Sequence, residues 1–455
     1  MHVALQSLAD IPAAALQGNA FEPPLYFWLL HGVLSLFGTS EAGLRALSVA
    51  AGVITVPVTW LLVRDLTDRP GTATVVAFLL AANPLHLWFS QEARPYSLML
   101  LFGVAALLCL RLAVRTGRPM PWVAYAVLSA LTILCHATGI VVPATAAFWV
   151  TLTERRWKTI SRFGAASLVT VLLITPFLYT LAATIEPGST GSPPRALTGL
   201  EGPYSLFTYV AGHSFGPSVR EIQNNGWRVA IERNAVQTAV VVAILGAILA
   251  LALRARSEAI WLLGILVAVP IGAAILGSAI TTKAYSVRYT LPALVGFLGV
   301  AGVVATGLTA RARRVYLGVL LLVSLWADAQ WFFVPRYWKE DSRSAVACLT
   351  ERVEPGSTVA VIPGYMRSML DHYARLAGTP LSIVAVSVAG DVEKTRPAAL
   401  LTTRLHHASE ALELVREFRE TTDGSVVEGQ VPGYQIYLRS RTDRLEPRLT
   451  CEVLH

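Results

Sequence analysis

Three short stretches of this sequence gather ionisable and aromatic side chains at the edges of long apolar runs. The densest is Asn83-Pro84-Leu85-His86-Leu87-Trp88-Phe89-Ser90-Gln91-Glu92-Ala93-Arg94-Pro95-Tyr96, where a carboxylate, a guanidinium and a phenol share one turn. A guanidinium in such a place can fork onto a phosphate or a carboxylate. Glu92 can hold Arg94 in position, or bind a metal ion or a sugar hydroxyl; an interfacial Glu–Arg pair anchored by aromatics would use the same residues. The second stretch, Thr282 to Tyr289, offers Lys283, Tyr285, Arg288 and Tyr289. Two cations and two phenols suit a phosphate, whose desolvated oxygens need fixed donors, although snorkelling towards lipid headgroups explains them as well. In the third stretch, Phe21 to Tyr26, Glu22 stands where a helix is expected to begin, and stabilisation of that helix end alone would account for a carboxylate there. His136, near Gly139, and His213, near Gly216-Pro217-Ser218, complete the candidates, a lone histidine being more often a hydrogen-bonded structural residue than a ligand. Glu22, Glu92 and His136 are compatible with a divalent metal ion without demanding one.

The elements that must position these residues are membrane spans. Hydrophobic residues make up 54% of the chain, charged ones 15%, and the mean hydropathy is +0.55. Soluble domains carry roughly 25% charge, so most of this chain belongs in lipid. Apolar runs of spanning length recur at 42–63, 72–90, 95–113, 121–136, 138–153, 163–184, 234–253, 259–281, 289–308 and 315–334, giving about ten crossings. The two short runs near 121–153 are able to tilt or to pack as a hairpin. Leu25 to Phe37, led by Pro23-Pro24 and carrying Trp28, is too short to cross and reads as an interfacial helix. Alternate loops hold Arg64 and Arg69; Arg111, Arg115 and Arg118; Arg155, Arg156, Lys158 and Arg162; Arg254 and Arg256; and Arg311, Arg313 and Arg314. With ten spans all five fall on one face, which the positive-inside rule makes cytoplasmic. The net charge of +8 is thereby explained by topology, and nucleic acid is excluded as a partner.

The opposite face then receives residues 1–41, the Ser90–Arg94 turn, the bend at His136, a long loop over 185–233, the turn after residue 281 and the tail after 334. Residues 1–41 are read as an extracytoplasmic loop with an interfacial helix, 42–334 as the transmembrane domain and 335–455 as a small extracytoplasmic α/β domain. In that last part strand-like runs (Thr358–Ile362, Leu381–Val388, Ala398–Thr403, Gln435–Leu438) alternate with helical patterns such as Ser409–Arg419. Cys109 and Cys135 lie in apolar segments, whereas Cys348 and Cys451 would pair in an oxidising compartment; no CxxC or Cys/His metal spacing occurs. Met1 to Ala20 lacks the basic start and apolar core of a signal peptide. A transporter would show internal repeats and polar residues at mid-membrane, and here the polar residues sit at span ends.

Several of these segments, taken in order, resemble a known family. Glu22-Pro23-Pro24-Leu25-Tyr26, then Leu29-Leu30-His31, Phe37-Gly38-Thr39-Ser40-Glu41 and Leu44-Arg45 are similar to the HPPLY, LLH, FG-SE and LR signature of bacterial family-39-like GT-C glycosyltransferases. Asn83-Pro84 through Ser90-Gln91-Glu92-Ala93-Arg94-Pro95-Tyr96 resembles the same family's P…SQEAR-Y segment. His136, Gly212, Gly216-Pro217-Ser218, Val287-Arg288-Tyr289, Leu291-Pro292 and Tyr337-Trp338-Lys339-Glu340-Asp341 also look like family positions. The fold class implied is a polytopic α-helical membrane protein, GT-C-like, with the small C-terminal α/β domain outside.

The resemblance implies an inverting enzyme of the bacterial cytoplasmic membrane, similar to protein O-mannosyltransferases and lipid A aminoarabinose transferases. Such an enzyme takes a sugar, mannose being one candidate, from a polyprenyl-phosphate donor and passes it to a lipid, glycan or protein acceptor at the outer face. Arg94, Lys283 and Arg288 would hold the donor phosphate beside Tyr96, Tyr285 and Tyr289. Glu92 and Glu22 would be the acidic, catalytic candidates, with His136 and His213 as further ones. Two departures stand out. Glu22 occupies the place of a family histidine, and the first span with its following Asp-Glu pair has no counterpart after Met1. A start codon placed too late accounts for this, with eleven spans in the natural protein; the alternative is a truncated, non-catalytic homologue that binds lipid-linked sugar or a partner protein.

Overall fold

The computed structural model describes residues 3–440 apart from 17–21, 185–196, 256, 281–284, 389, 404–408, 423 and 424. Lys283 and Cys451 therefore lie outside the described residues. The chain divides into two compact units, one of residues 1–212 and 239–327, the other of 213–238 and 328–455.

The first unit is helical. A short α1 (Ile11–Leu16) precedes α2 (Leu25–Phe37), the expected interfacial segment, and α3 (Glu41–Thr67) follows. Ser40 starts α3 by accepting the Gly43 amide at 3.1 Å, one of the orphan donors that every helix start must satisfy. Then come α4 (Pro70–Ala81), α5 (Pro84–Ser90), α6 (Tyr96–Thr116), α7 (Pro119–Cys135), α8 (Val141–Thr153), α9 (Trp157–Thr184) and α10 (Glu201–Ala211). After α11 (Val219–Arg233) the apolar helices resume with α12 (Ala235–Ala255), α13 (Glu258–Ile280), α14 (Leu291–Gly307) and α15 (Ala310–Phe333). Each expected crossing coincides with a helix or a bent pair. Among the described residues seven helices are long and apolar enough to cross a membrane, and the bent pair of α4 and α5 makes an eighth.

Three details differ from the expectation. The run read as one span over 72–90 is broken by 60° between α4 and α5, because Pro84 has no amide to donate and Asn83 takes over the start of α5. Its Oδ1 accepts from the amides of Leu85 and His86, both at 3.1 Å. The runs at 121–136 and 138–153 are the shorter apolar helices of the unit; extended His136 (φ −156°, ψ 134°) ends α7 and its Nδ1 accepts from the Thr138 amide to start the next turn. The stretch read as a loop over 185–233 contains α10 and α11, the latter capped by Ser218, whose Oγ accepts the Glu221 amide at 3.1 Å.

Packing is densest where α3, α6, α7, α8, α13 and α14 meet, around Leu62, Leu107, Tyr125, Trp149, Leu263 and Val295. At the basic helix ends the buried Asp65 carboxylate is held by Arg111 (3.1 Å) and Arg115 (3.0 Å), and Arg111 lies over Trp149. A buried charge is tolerable only when paired in this way.

In the second unit a five-stranded sheet has the order β2-β1-β3-β5-β4. After α16 (Ser342–Arg352), β1 (Thr358–Ile362) leads through α17 (Arg367–Leu376) to β2 (Ser382–Ala385), and α18 (Asp391–Thr395) leads to β3 (Ala399–Thr402). Next, α19 (Ser409–Glu420) precedes the hairpin of β4 (Ser425–Val431) and β5 (Tyr434–Ser440). The first three strands are parallel and the hairpin antiparallel. All four expected strand runs appear, and β4 is added. Cys348 is disulfide-bonded, while Cys109 and Cys135 are free thiols; Cys451, the expected partner of Cys348, falls outside the described residues. The segment 213–238 is tied to the chain leaving α15. Arg336 pairs with Glu221, Arg220 donates to the Trp338 carbonyl (3.1 Å) and the Tyr337 hydroxyl to the Gly216 carbonyl (3.0 Å).

Within the first unit Gly212 closes α10 with φ +59°, and a Cβ there would stand 2.7 Å from that of Pro84. Gly212→Ala is therefore expected to destabilise the protein by about 1–3 kcal/mol through left-handed strain and overpacking. Thermal unfolding in detergent measures it, and an unchanged midpoint would contradict this seating of α10 on α5.

Candidate functional site

The broken span positions the site. Asn83, besides starting α5, donates from Nδ2 to the Tyr209 carbonyl of α10 at 2.8 Å. Ser90 folds its hydroxyl back to the His86 carbonyl at 2.7 Å, and Ser97 of α6 donates to the Phe89 carbonyl at 2.8 Å. On the other side α3 offers Gly52, where a Cβ would meet Ser90 Oγ at 2.2 Å, so α5 lies directly on the α3 backbone. Ser48 of α3 donates to the Arg94 carbonyl at 3.2 Å. The turn carrying Glu92 and Arg94 is thus held from α3, α6 and α10.

Glu92 pairs with Arg94 through Oε1 and Nε at 3.4 Å, with the arginine side chain 47% exposed and the glutamate 22%. Burial pulls the Arg94 guanidinium down, but Glu92, Tyr96 and Glu22 outweigh it and raise it above the ordinary arginine value. Tyr96 starts α6 buried, its ring 5.3 Å from Phe89 and 5.1 Å from His136. Arg288, in the short turn before α14, lies over both Tyr96 (5.7 Å) and Tyr289 (5.2 Å), and its Nη2 donates to the Tyr289 hydroxyl at 3.3 Å. His136 stacks on Tyr289 at 6.0 Å, with its Nδ1 2.7 Å from Thr138 Oγ1. The charges of Arg288 and Arg94 both act on His136. Glu22, Glu92, Arg94 and Arg288 all act on Tyr96.

These contacts bring Glu22, Glu92, Arg94, Tyr96, His136, Arg288 and Tyr289 into one cluster, drawn from sequence segments far apart. Tyr285 turns elsewhere, its hydroxyl 2.5 Å from Ser205 of α10. His213 belongs to the second unit, where the charge acting on it is that of Lys339. Two residues that sequence reasoning left without a role join the cluster. Tyr26, buried in α2, is acted on by Glu22, Glu92 and Arg94, and Ser48 holds the Arg94 carbonyl. Tyr26 ends the Glu-Pro-Pro-Leu-Tyr segment, so its signal was present; Ser48 had none.

The arrangement has one unspent donor. Arg288 Nε is buried and has no hydrogen-bond partner among the described residues. A buried donor left unmade costs about 1–3 kcal/mol, and more when charged. Its turn is nonetheless fixed, since the Tyr209 hydroxyl donates to the Thr290 carbonyl at 2.8 Å and Thr290 Oγ1 to that of Val287 at 2.8 Å. The site therefore presents two guanidinium groups, framed by phenol rings, beside two carboxylates. It can hold an anion and accept a proton nearby. Among the described residues no group of three His, Cys, Asp or Glu side chains stands close enough together to hold a metal ion by itself.

His213, outside the membrane-spanning helices, gives a pH expectation. Burial first, and then the Lys339 charge, pull it down to about 4, against an ordinary histidine value near 6.5. The unfolded chain then binds the proton more readily than the folded one, so stability is level above about pH 6.5 and falls as pH drops from there towards 4. Unfolding midpoints between pH 7 and 4 should show this fall and His213→Gln should flatten it; an equal fall in the variant would contradict the assignment.

Comparison with known proteins bears on the family and the fold. Residues 21–180 match the family described as dolichyl-phosphate-mannose-protein mannosyltransferase. No curated protein sequence matches the chain. Among solved structures, ArnT from Cupriavidus metallidurans in the apo state superposes with a TM-score of 0.50 at 16% identity, covering 93% of this chain and 89% of that one. The same protein bound to undecaprenyl phosphate gives 0.52 at 16% identity, with 93% and 90% covered. The archaeal oligosaccharyltransferase AglB from Archaeoglobus fulgidus, in complex with an inhibitory peptide and a dolichol-phosphate, gives 0.50 at 12% identity, with 94% and 67% covered. Over nearly its whole length the chain thus has a fold similar to that of these membrane proteins, and its first helices match the mannosyltransferase family.

Proposed function

We propose that the chain is a glycosyltransferase that moves a sugar from a polyprenyl-phosphate donor to a lipid, glycan or protein acceptor. The reaction occurs at the outer face of the bacterial cytoplasmic membrane, with mannose a candidate sugar. The observation that carries this reading is Arg288, a guanidinium stacked between Tyr96 and Tyr289 with its buried Nε unused. A cation fixed at a span end and short of acceptors suits the phosphate of a membrane-borne lipid. ArnT, of the same fold, binds undecaprenyl phosphate, which supports assigning such a ligand here.

The site residues then divide the work. The acceptor hydroxyl attacks the anomeric carbon, the bond from that carbon to the phosphate oxygen breaks, and the electron pair leaves on the phosphate. Arg288 and Arg94 stabilise that growing negative charge, and Glu92 keeps Arg94 aimed through its 3.4 Å pair. Glu22 takes the acceptor proton as general base. Displacement in one step inverts the anomeric centre. Tyr96 and Tyr289 flank Arg288 and exclude water, which strengthens its hold on phosphate. Lys283 is assigned to the same phosphate through its place in the Thr282–Tyr289 stretch, and Tyr285 steadies that stretch against α10. Orientation follows from the basic helix ends lying opposite to this site, and the disulfide at Cys348 suits a tail outside the cytoplasm.

Membranes carrying the full-length protein, supplied with a panel of polyprenyl-phosphate sugars, test the reading. Arg288→Ala should cut transfer roughly 10²- to 10³-fold, the loss typical of one transition-state donor. Arg288→Lys should recover only part, since a point charge replaces a planar fork. Transfer at the wild-type rate after Arg288→Ala would sink the donor-site assignment.

A further inference from the structure

Under its basic helix ends the first unit carries a narrow cleft that glycosyl transfer at the opposite ends does not use. The cleft lies between α3, α6, α8 and α13 and is walled by leucines, among them Leu62, Leu107 and Leu266. Arg111 is the one charged side chain lining it among the described residues, and its guanidinium lies over the ring of Trp149, which also lines the cleft. The cleft holds about 320 Å³ of empty space including its open side. Leu66, Arg111 and Ile265 form a half-buried rim, while the other lining residues are buried.

Leu107, Arg111 and Arg115 follow one another at intervals of four on one face of α6. The cleft therefore leads to Arg111 and, one turn further out, to Arg115, about 12 Å along the helix from Leu107. Asp65 fixes both arginines, meeting Arg111 Nε at 3.1 Å and Arg115 Nη1 at 3.0 Å. It does not exhaust Arg115, whose side chain is 57% exposed and whose Nε and Nη2 make no hydrogen bond or ion pair among the described residues. Residues 64–69 and 111–118 together hold five arginines against Asp65 and Asp68. Glu258, one turn before Leu262 on α13, still leaves the arginines in excess. Basic helix ends mark the cytoplasmic leaflet, whose anionic lipids are drawn to such clusters. A leucine-walled slot leading to a guanidinium with unused donors matches a molecule already present in that leaflet. Its acyl chain enters the slot, and its phosphate meets the guanidinium.

We propose that the cytoplasmic ends of α3, α6, α8 and α13 form a binding site for an anionic phospholipid, with one acyl chain in the cleft and the phosphate on Arg115. The site is independent of the donor site at the outer face. Native mass spectrometry of the full-length protein in neutral detergent, titrated with dioleoyl phosphatidylglycerol or dioleoyl phosphatidylcholine, tests this. The protein should retain one phosphatidylglycerol roughly fivefold or more tightly than phosphatidylcholine, and Arg115→Gln should weaken that retention roughly fivefold. Ile265→Trp, which fills the cleft from its rim, should weaken retention of both lipids. Arg254→Gln, which removes the same charge from the end of α12, should leave retention within about twofold of wild type. Equal retention of the two lipids by the wild type would overturn the proposal, because no headgroup site would then exist. An equal loss in Arg115→Gln and Arg254→Gln would overturn it too, leaving only the general attraction of a basic surface.

Discussion

The organisation of the first unit turns on the confinement of positive charge at the edge of a membrane. Arg288 lies between two aromatic rings with one buried donor unused, and it sits near a second guanidinium, Arg94, whose charge opposes its own. Like charges brought out of water repel, so such a pair persists only if the backbone around it is held and a counter-charge stands close. Glu92 and Glu22 supply the counter-charge. The backbone is held by the break at Asn83-Pro84, by Ser48 on the Arg94 carbonyl and by Tyr209 on Thr290. Contrast with Asp65 is instructive: there one carboxylate meets two arginines at the opposite helix ends, Arg111 gives a further bond to the Asp65 backbone, and the group reads as structural.

This constraint explains why the chain is broken beside the site while helices such as α9, α12 and α13 continue uninterrupted over 21 to 28 residues. A continuous helix cannot turn its amides towards a ligand or place two sequence-adjacent charges side by side. The 60° break between α4 and α5, the extended residue at His136 and the 3₁₀ turn at Val287–Thr290 lie next to cluster residues. Backbone irregularity at membrane depth is tolerated where protein buries it, and here Pro84, Asn83 and Thr290 are all buried.

Much of this architecture was legible in the sequence, and the reasons differ by element. Apolar length marked all ten helical segments, of which seven, or eight with the bent pair, are long and apolar enough to cross a membrane among the described residues. The parallel strands announced themselves as short runs such as Thr358–Ile362, and β3 is buried throughout. β4 escaped because it lies mostly half-buried, with Glu428 and Gly429 interrupting any alternation. α10 and α11 were hidden by glycine, proline and asparagine, and they exist because Ser218 caps one and Tyr209 anchors the other to Thr290. The bend at Pro84 was available in principle, since Asn followed by Pro is a helix-start signal, but the apolar run masked it. For the site, the types of Glu92, Arg94 and Tyr96 flagged one segment. Nothing local joins residue 22 to 96, 136 or 288, and the ordered resemblance to a family alone suggested that they meet. Tyr285 shows the limit of spacing: four residues before Tyr289, it faces Ser205 instead.

The central claim is that Arg288 and Arg94 together hold a lipid phosphate. Equilibrium binding of polyprenyl phosphate to the purified protein, measured for wild type, Arg94→Gln, Arg288→Gln and the double variant, addresses it without any need to know the acceptor. The account predicts weaker binding in each single variant and losses in the double that are not additive, as expected for two groups on one phosphate. Wild-type affinity in the double variant would contradict it.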